Sequence, residues 1–368
     1  MDTRKLVLAL HRWIGLIAAL ALLAVGLSAV VLVFETPIDR MLNRSLTQVS
    51  PVGRRMPLAT ISAQLEQAYP EYQVVGWNLG QEPEQASGVF LNAKPDAKPA
   101  NPSAHSLELA VNPYTGAVLG NLDRANGLAG YIHQFHTRFL AGEVGKAIVG
   151  WSAVCLLVLN LTGIILWWRR KVGRFNRRAS GITFHFQNHQ AVGIYAWGSL
   201  MLFAITGMMI HWEGKASEWA NKLTGALPPA KMLPADPVAG GAKILDADQL
   251  ISVAEKAAPG AHVTVLRYGQ HPQDPVRVIM KYPEDHTPAG RTNVFLDPYS
   301  GKVRRLQDAR SAPVGFKIVR LWTRQFHTGD IYGWPSQMVA LISTIALPVM
   351  AITGPMIWWK RRRSVARL

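Results

Sequence analysis

Four histidines of this chain occupy positions that match between its two halves. The letters QFHT, which include His136, recur 191 residues later around His327. A second offset of 178 residues relates His11 to His189. Imidazole nitrogens bind metals, including haem iron, and exchange protons near neutral pH. The matched histidines therefore predict two related sites, each drawing one imidazole from either half of the chain.

Four long apolar runs connect these histidines. The runs contain no Asp, Glu, Lys or Arg and cover residues 13–34, 147–168, 190–212 and 335–359. Each run has at least 22 residues, and a helix of that length crosses a hydrocarbon core of about 30 Å. Because Trp and basic residues flank the runs, the sequence predicts four transmembrane helices rather than buried helices of a soluble protein.

The net charge of +16 is concentrated next to the apolar runs. Residues 1–12, 169–188 and 360–368 hold many of the Lys and Arg residues but a single acid, Asp2. Basic residues in short segments beside membrane helices stay in the cytoplasm, so both termini and the 169–188 segment are predicted to lie inside. This distribution explains the charge without a nucleic acid partner. The single cysteine, Cys155, excludes a disulfide within the chain, and the absence of a CxxCH motif excludes covalent haem attachment.

The two long segments between the runs share one predicted order of elements. Apolar residues at helical spacing predict helices over residues 57–69 and 248–258. Apolar runs predict strands over residues 74–79, 89–91, 107–111, 117–119, 263–267, 276–282 and 293–296. Each segment also contains a Pro-Tyr turn that ends in glycine, at residues 112–116 and 297–301. We therefore expect two small α+β domains outside the membrane.

These patterns predict a membrane all-α bundle of four transmembrane helices, made of two related halves, with two small periplasmic α+β domains. The predicted division is 1–35 for the first span, 36–121 for the first outer domain, 122–170 for an interfacial helix and the second span, 171–188 for a cytoplasmic loop, 189–213 for the third span, 214–310 for the second outer domain, and 311–368 for an interfacial helix, the fourth span and a cytoplasmic tail.

Several repeated motifs carry a family resemblance. They are the HxxxG segments that begin at His11 and His189, the FHT segments, the TGxxxWW segments followed by basic residues, and the PY turns. Over nearly the whole chain they resemble the PepSY-associated transmembrane-helix family. Some members of that family are inner-membrane reductases of ferric siderophores, including a ferrioxamine reductase that carries two haems. The resemblance implies PepSY-like outer domains and a redox function.

The matched histidines predict two b-type haems, bound without a covalent link. His11 and His189 would bind the inner iron, and His136 and His327 the outer iron. His211 lies on the same side of its helix as His189 but near the opposite end. It is an alternative outer ligand or a residue near the substrate. The other interpretation of these histidines is that they cap helices or form hydrogen bonds between spans. Two histidines on each iron suit electron transfer better than oxygen chemistry.

The sequence thus predicts an inner-membrane enzyme that passes electrons outward, reduces a ferric siderophore in the periplasm and releases iron. The predicted inner segments are too short for a flavin or nicotinamide domain, so a cytoplasmic partner or a membrane quinol must supply the electrons. Lipid surrounds the spans, and no nucleic acid is involved. Two alternatives remain: a non-enzymatic regulator whose outer domains bind peptide, protease or cell-wall material, and an electron conduit to another acceptor.

Overall fold

The structure is a computed structural model that describes residues 2–95, 105–122, 127–168, 180–226, 231–234, 236 and 243–365. Half of the predicted cytoplasmic loop, residues 171–179, lies outside these residues. The chain forms two compact units. Residues 1–35, 125–219 and 322–368 contribute to a helical unit, and residues 36–124 and 220–321 contribute to a sheet unit.

The helices and strands follow each other in this order along the chain. The α-helices are α1 (Thr3–Leu32), α2 (Glu35–Leu42), α3 (Arg44–Thr47), α4 (Leu58–Ala68), α5 (Leu128–Arg138), α6 (Gly142–Trp168), α7 (Gly181–His211), α8 (Glu213–Thr224), α9 (Ala247–Ala257), α10 (Val314–Phe316), α11 (Thr323–Thr328) and α12 (Trp334–Val365). A π-helical segment, Lys317–Trp322, joins α10 to α11. The strands are β1 (Tyr72–Asn78), β2 (Ser87–Ala93), β3 (Ser106–Val111), β4 (Val118–Asn121), β5 (His262–Arg267), β6 (Val276–Lys281), β7 (Thr292–Leu296) and β8 (Val303–Gln307).

Four of the described helices, α1, α6, α7 and α12, are long and apolar enough to cross a membrane. They correspond to the four predicted runs. In the bundle, α1 and α7 each contact both α6 and α12, so α1 and α7 lie diagonally across from each other. Small residues allow close approach between helices in lipid. At Gly26 of α1, an added Cβ would lie 2.7 Å from the ring of Pro348 on α12.

A sharp turn separates α5 from the second span. Phe139 and Leu140 both have positive φ angles, of 48° and 55°, which are uncommon for residues other than glycine. A Cβ on Gly145 would overlap the carbonyl of Arg138, so only glycine fits where α6 passes the end of α5. In the second half, α10, the π-helical segment and α11 precede the last span.

The sheet unit contains one antiparallel sheet of eight strands in the order β4-β3-β2-β1-β5-β6-β7-β8. One face packs against α4 and α9 and forms a core that includes Trp77, Leu91, Leu250 and Leu266. Helix α9 also supports α4 directly. The carboxylate of Asp248 accepts hydrogen bonds from the backbone N–H groups at the start of α4, and it thereby caps that helix.

The predicted fold class, an all-α bundle with two small α+β domains, is wrong. The described strands of both halves form a single sheet, because β1 of the first half pairs with β5 of the second. The pairs are Gly76 with Arg267, Trp77 with Leu266 and Asn78 with Val265. An unpaired edge strand leaves backbone donors and acceptors without partners, and pairing β1 with β5 removes two such edges.

Candidate functional site

His11 on α1 and His189 on α7 meet across the helical bundle. Their ring centroids are 6.4 Å apart and their planes are almost perpendicular, at 89°. A metal bound to both rings through nitrogen at about 2 Å separates the ring centroids by about 6 Å. The spacing of this inner pair therefore fits a single iron between the two imidazoles.

A threonine hydroxyl fixes the protonation of each inner imidazole. Thr162 Oγ1 lies 2.8 Å from His11 Nδ1 and donates its own hydrogen to the Val158 carbonyl at 2.7 Å. The hydroxyl can then only accept from His11, so we assign the ring hydrogen to Nδ1. Thr353 makes the same two kinds of contact with His189 and with its own helix. Nε2 of both rings thus keeps a lone pair, as a metal ligand requires.

His136 on α5 and His327 on α11 form an outer pair of the same kind. Their ring centroids are also 6.4 Å apart. Ser28 Oγ lies 3.0 Å from His136 Nδ1, and Thr206 Oγ1 lies 2.9 Å from His327 Nδ1. Both hydroxyls donate to carbonyls of their own helices. Sequence reasoning missed this role of Ser28 and Thr206, although the offset of 178 residues relates them.

Both outer histidines are neutral at physiological pH. Burial, with a contribution from the neighbouring His133, lowers the pKa of His136 to about 4. Burial likewise lowers the pKa of His327 to about 3, with a contribution from His136. Neutral imidazole is the form that binds a metal, so the outer pair needs no deprotonation step before it binds one.

Glycines leave space beside three of the four rings. Each follows a threonine that contacts a histidine, in the pairs 162–163, 206–207 and 353–354. A Cβ on Gly163 would lie 3.4 Å from Cε1 of His11, one on Gly207 3.4 Å from Cε1 of His327, and one on Gly354 3.6 Å from Cε1 of His189. Larger side chains at these positions would fill the space next to the imidazoles.

The inner pair opens into a cavity of about 830 Å³ inside the helical unit. This volume lies within the range of cofactor sites, which is about 300–1,000 Å³. Aromatic residues, including Trp13 and Trp197, contribute to its walls, and Arg12 and Arg362 also line it. Arginines bind carboxylates well. The walls of the cavity therefore suit a flat apolar group, and Arg12 and Arg362 suit acidic substituents on that group.

The chemistry of the donors fits a haem better than a metal ion held by protein ligands alone. No group of three or more His, Cys, Asp or Glu residues that could hold a metal ion occurs in the described part of the chain. A porphyrin supplies four ligands to its iron, and two imidazoles complete the set. Each pair of histidines therefore matches what a b-type haem requires from the protein.

His211 is not part of the outer pair in this structure. Its ring lies 4.4 Å from the ring of Trp212, measured between centroids. It also lies against α6, where a Cβ on Gly150 would overlap the imidazole. The structure therefore brings His136 together with His327 and leaves His211 beside the second span.

Comparison with known proteins bears on the whole chain. No curated protein matches it. A family described as "PepSY-associated TM region" matches residues 8–361, which include two candidate spans in full, most of the other two and every histidine of the two pairs. The four apolar helices agree with that description. This chain is therefore a membrane protein that belongs to the PepSY-associated TM region family.

Proposed function

We propose that the protein holds two b-type haems and carries electrons across the bacterial inner membrane to reduce a ferric siderophore in the periplasm. One observation carries the proposal. Two pairs of imidazoles, each with its Nδ1 bound to a hydroxyl, occur in one apolar bundle. Along α1, residues 11 and 28 contact different pairs, and at 1.5 Å per residue these positions are about 25 Å apart. The two sites therefore lie near opposite ends of the bundle.

The side chains around each site have distinct tasks. The histidines would hold the iron, and the hydroxyls of Ser28, Thr162, Thr206 and Thr353 orient the imidazoles. A haem with two imidazole ligands exchanges single electrons without an open coordination position. The apolar walls exclude water from the inner site, and Arg12 and Arg362 would bind the propionates. Because every ring is fixed through Nδ1, the four imidazoles are held in place to receive the iron of a haem.

The proposed direction of transfer is outward. The basic segments at the termini favour a cytoplasmic location for both ends of the chain, which places the inner pair near the cytoplasm. A cytoplasmic protein or a membrane quinol supplies the electrons.

Ile17 and Leu20 on α1 have exposed fractions of 79% and 78%, and we assign these side chains to contact with lipid.

Reduction explains how iron would leave a siderophore. The oxygen ligands of a siderophore are hard donors, which hold a cation more tightly as its charge increases. One electron transferred to bound Fe³⁺ gives Fe²⁺, and the lower charge weakens the hold of the ligands. The siderophore itself is unchanged, and the reduced iron dissociates from it.

The test uses the purified full-length protein, expressed with haem available. We expect a Soret band that shifts when dithionite is added without oxygen. After excess reductant is removed, ferric siderophores should return the spectrum to its oxidised form. A folded but colourless protein would contradict haem binding and favour a regulatory function. A reduced spectrum unchanged by ferric siderophores would contradict the substrate and favour transfer to another acceptor.

A further inference from the structure

A row of arginines and aromatic residues crosses the sheet unit on one face. Successive strands pair these residues directly, from β2 through β1, β5, β6 and β7 to β8. We call this set the arginine row: Phe90, Gly76, Arg267, Arg277, Phe295 and Arg305.

The arginine row lies on the face of the sheet that does not pack against α4 and α9. Side chains alternate between the two faces of a strand. Val276 and Val278, on either side of Arg277, are fully buried in the core beneath those helices. Arg267 and Arg277 themselves are exposed. The row is therefore accessible, while its sequence neighbours hold the sheet to its helices.

Arg267 is fixed over an aromatic ring. Its guanidinium carbon lies 3.1 Å from the centroid of Phe90, two strands away. The side chain passes over Gly76 of the intervening strand, where a Cβ would lie 2.7 Å from Arg267 Cδ. Glycine at position 76 thus allows the contact. An arginine stacked on a ring keeps its N–H groups at the edge available for an anion.

The charges of the arginine row are poorly compensated within the sheet. Arg267 and Arg277 are directly opposite each other on β5 and β6, and like charges in such pairs are destabilising. Partial burial lowers the pKa of Arg277, and the charge of Arg320 lowers it further. Glu108, opposite Phe90, is the acid that attracts Arg267. Glu108 thus acts on Arg267, while Nε of Arg277 donates to the neutral side-chain amide oxygen of Asn293 at 2.8 Å.

The end of the arginine row on β8 also places an arginine over an aromatic ring. Arg305 lies over the ring of Phe295, with its guanidinium carbon 5.6 Å from the centroid. Its Nε is buried and forms no hydrogen bond within the described part of the chain.

We propose that the arginine row binds a ferric chelate of net negative charge, such as a catecholate or carboxylate siderophore. The occupant follows from charge complementarity and from the aromatic rings, which offer flat apolar surface beside the cations. This inference rests on the proposed function, since it names the substrate class of the same reaction. It predicts that neutral hydroxamate chelates bind this face weakly.

Gallium(III) complexes test binding separately from reduction, because Ga³⁺ resembles Fe³⁺ but does not accept an electron under these conditions. Equilibrium dialysis with the full-length protein would compare the gallium(III) tris-catecholate complex, which is anionic, with the uncharged tris-acetohydroxamate complex. We expect the anionic complex to bind about tenfold more tightly or better. Equal affinities, or no binding of the anionic complex, would overturn the inference.

Variants locate the site. Arg277→Gln and Arg267→Gln should each weaken binding of the anionic complex about tenfold, and Arg277→Lys should weaken it less. Arg54→Gln, which removes an exposed arginine elsewhere in the sheet unit, is the matched control and should have no effect. Circular dichroism would confirm that each variant is folded.

Two further results would decide against the inference. One is unchanged binding by Arg277→Gln, and the other is displacement of the complex by an equal concentration of short-chain phosphatidylglycerol, which would assign the site to lipid headgroups. If ferric chelates fail to reoxidise the reduced protein, the proposed function fails, but the gallium experiment still tests the arginine row.

Discussion

Replacing Thr353 by Val removes a hydroxyl while almost preserving the shape of the side chain. The structure shows two bonds at this hydroxyl, one from His189 Nδ1 at 2.8 Å and one to Val349 O at 2.7 Å. The second is dispensable, because a helix carbonyl already accepts a backbone N–H. The first is not, because the buried Nδ1–H of His189 would lose its acceptor. An unsatisfied buried donor costs about 1–3 kcal/mol.

We expect this cost to appear as weaker haem binding at the proposed inner site. Loss of a group that supports a metal ligand typically lowers metal affinity about 10- to 100-fold, which corresponds to about 1.4–2.8 kcal/mol. The two magnitudes agree. The imidazole also becomes a weaker electron donor when it loses this hydrogen bond, so the reduction potential of one haem should rise.

The assay measures the haem content of each purified variant as the protein is diluted in detergent. A redox titration of each variant gives its reduction potentials. We expect Thr353→Val to lose one of its two haems first, and Thr353→Ser to behave like the unaltered protein. Thr344→Val is the matched control, because Thr344 is a buried threonine of the same helix that bonds to Leu341 O. Unchanged haem retention and potentials in Thr353→Val would refute the assigned role of the hydroxyl.

Three other predictions concern different parts of the molecule. His189→Ala should remove one haem per chain and His327→Ala the other, as measured by haem-to-protein ratio; loss of both haems from either variant would contradict independent sites. Asp248→Ala should lower the free energy of unfolding by about 1 kcal/mol through loss of the α4 cap, and an unchanged thermal midpoint would contradict this. Burial raises the pKa of Tyr268 to about 12, so its neutral form stabilises the fold below the unfolded pKa of about 10. That contribution should disappear as pH rises from about 10 to 12 in thermal melts; Tyr268→Phe should be less sensitive to pH over the same range.

The elements of this fold were largely predictable from local patterns. Uncharged length alone identifies α1, α6, α7 and α12, and apolar spacing identifies α4, α9 and most strands. The pairing of β1 with β5 was not predictable, because it joins residues about 190 positions apart and leaves no periodic signal. The same strands, in the same order along the chain, could form two separate sheets or one continuous sheet. Which of the two arrangements forms depends on which strand edges pair in space.

The candidate site was also predictable only in part. The repeat predicts which histidines correspond, and the structure brings His11 to His189 and His136 to His327. The hydroxyl partners were only partly visible, since Thr162 and Thr353 stand in a repeated motif while Ser28 and Thr206 differ in residue type. Contacts between side chains on different helices depend on helix rotation, which a sequence pattern constrains only roughly.

The pairing of equivalent strands has a consequence for the origin of this chain. Neither pair of imidazoles exists within one half, and either half alone would expose a strand edge where β1 or β5 now finds its partner. A half-length ancestor would therefore have been complete only as a symmetric dimer, with both sites on its twofold axis. In a single chain, by contrast, the two halves can differ in sequence. His211, which has Val33 as its counterpart, records such a departure from symmetry.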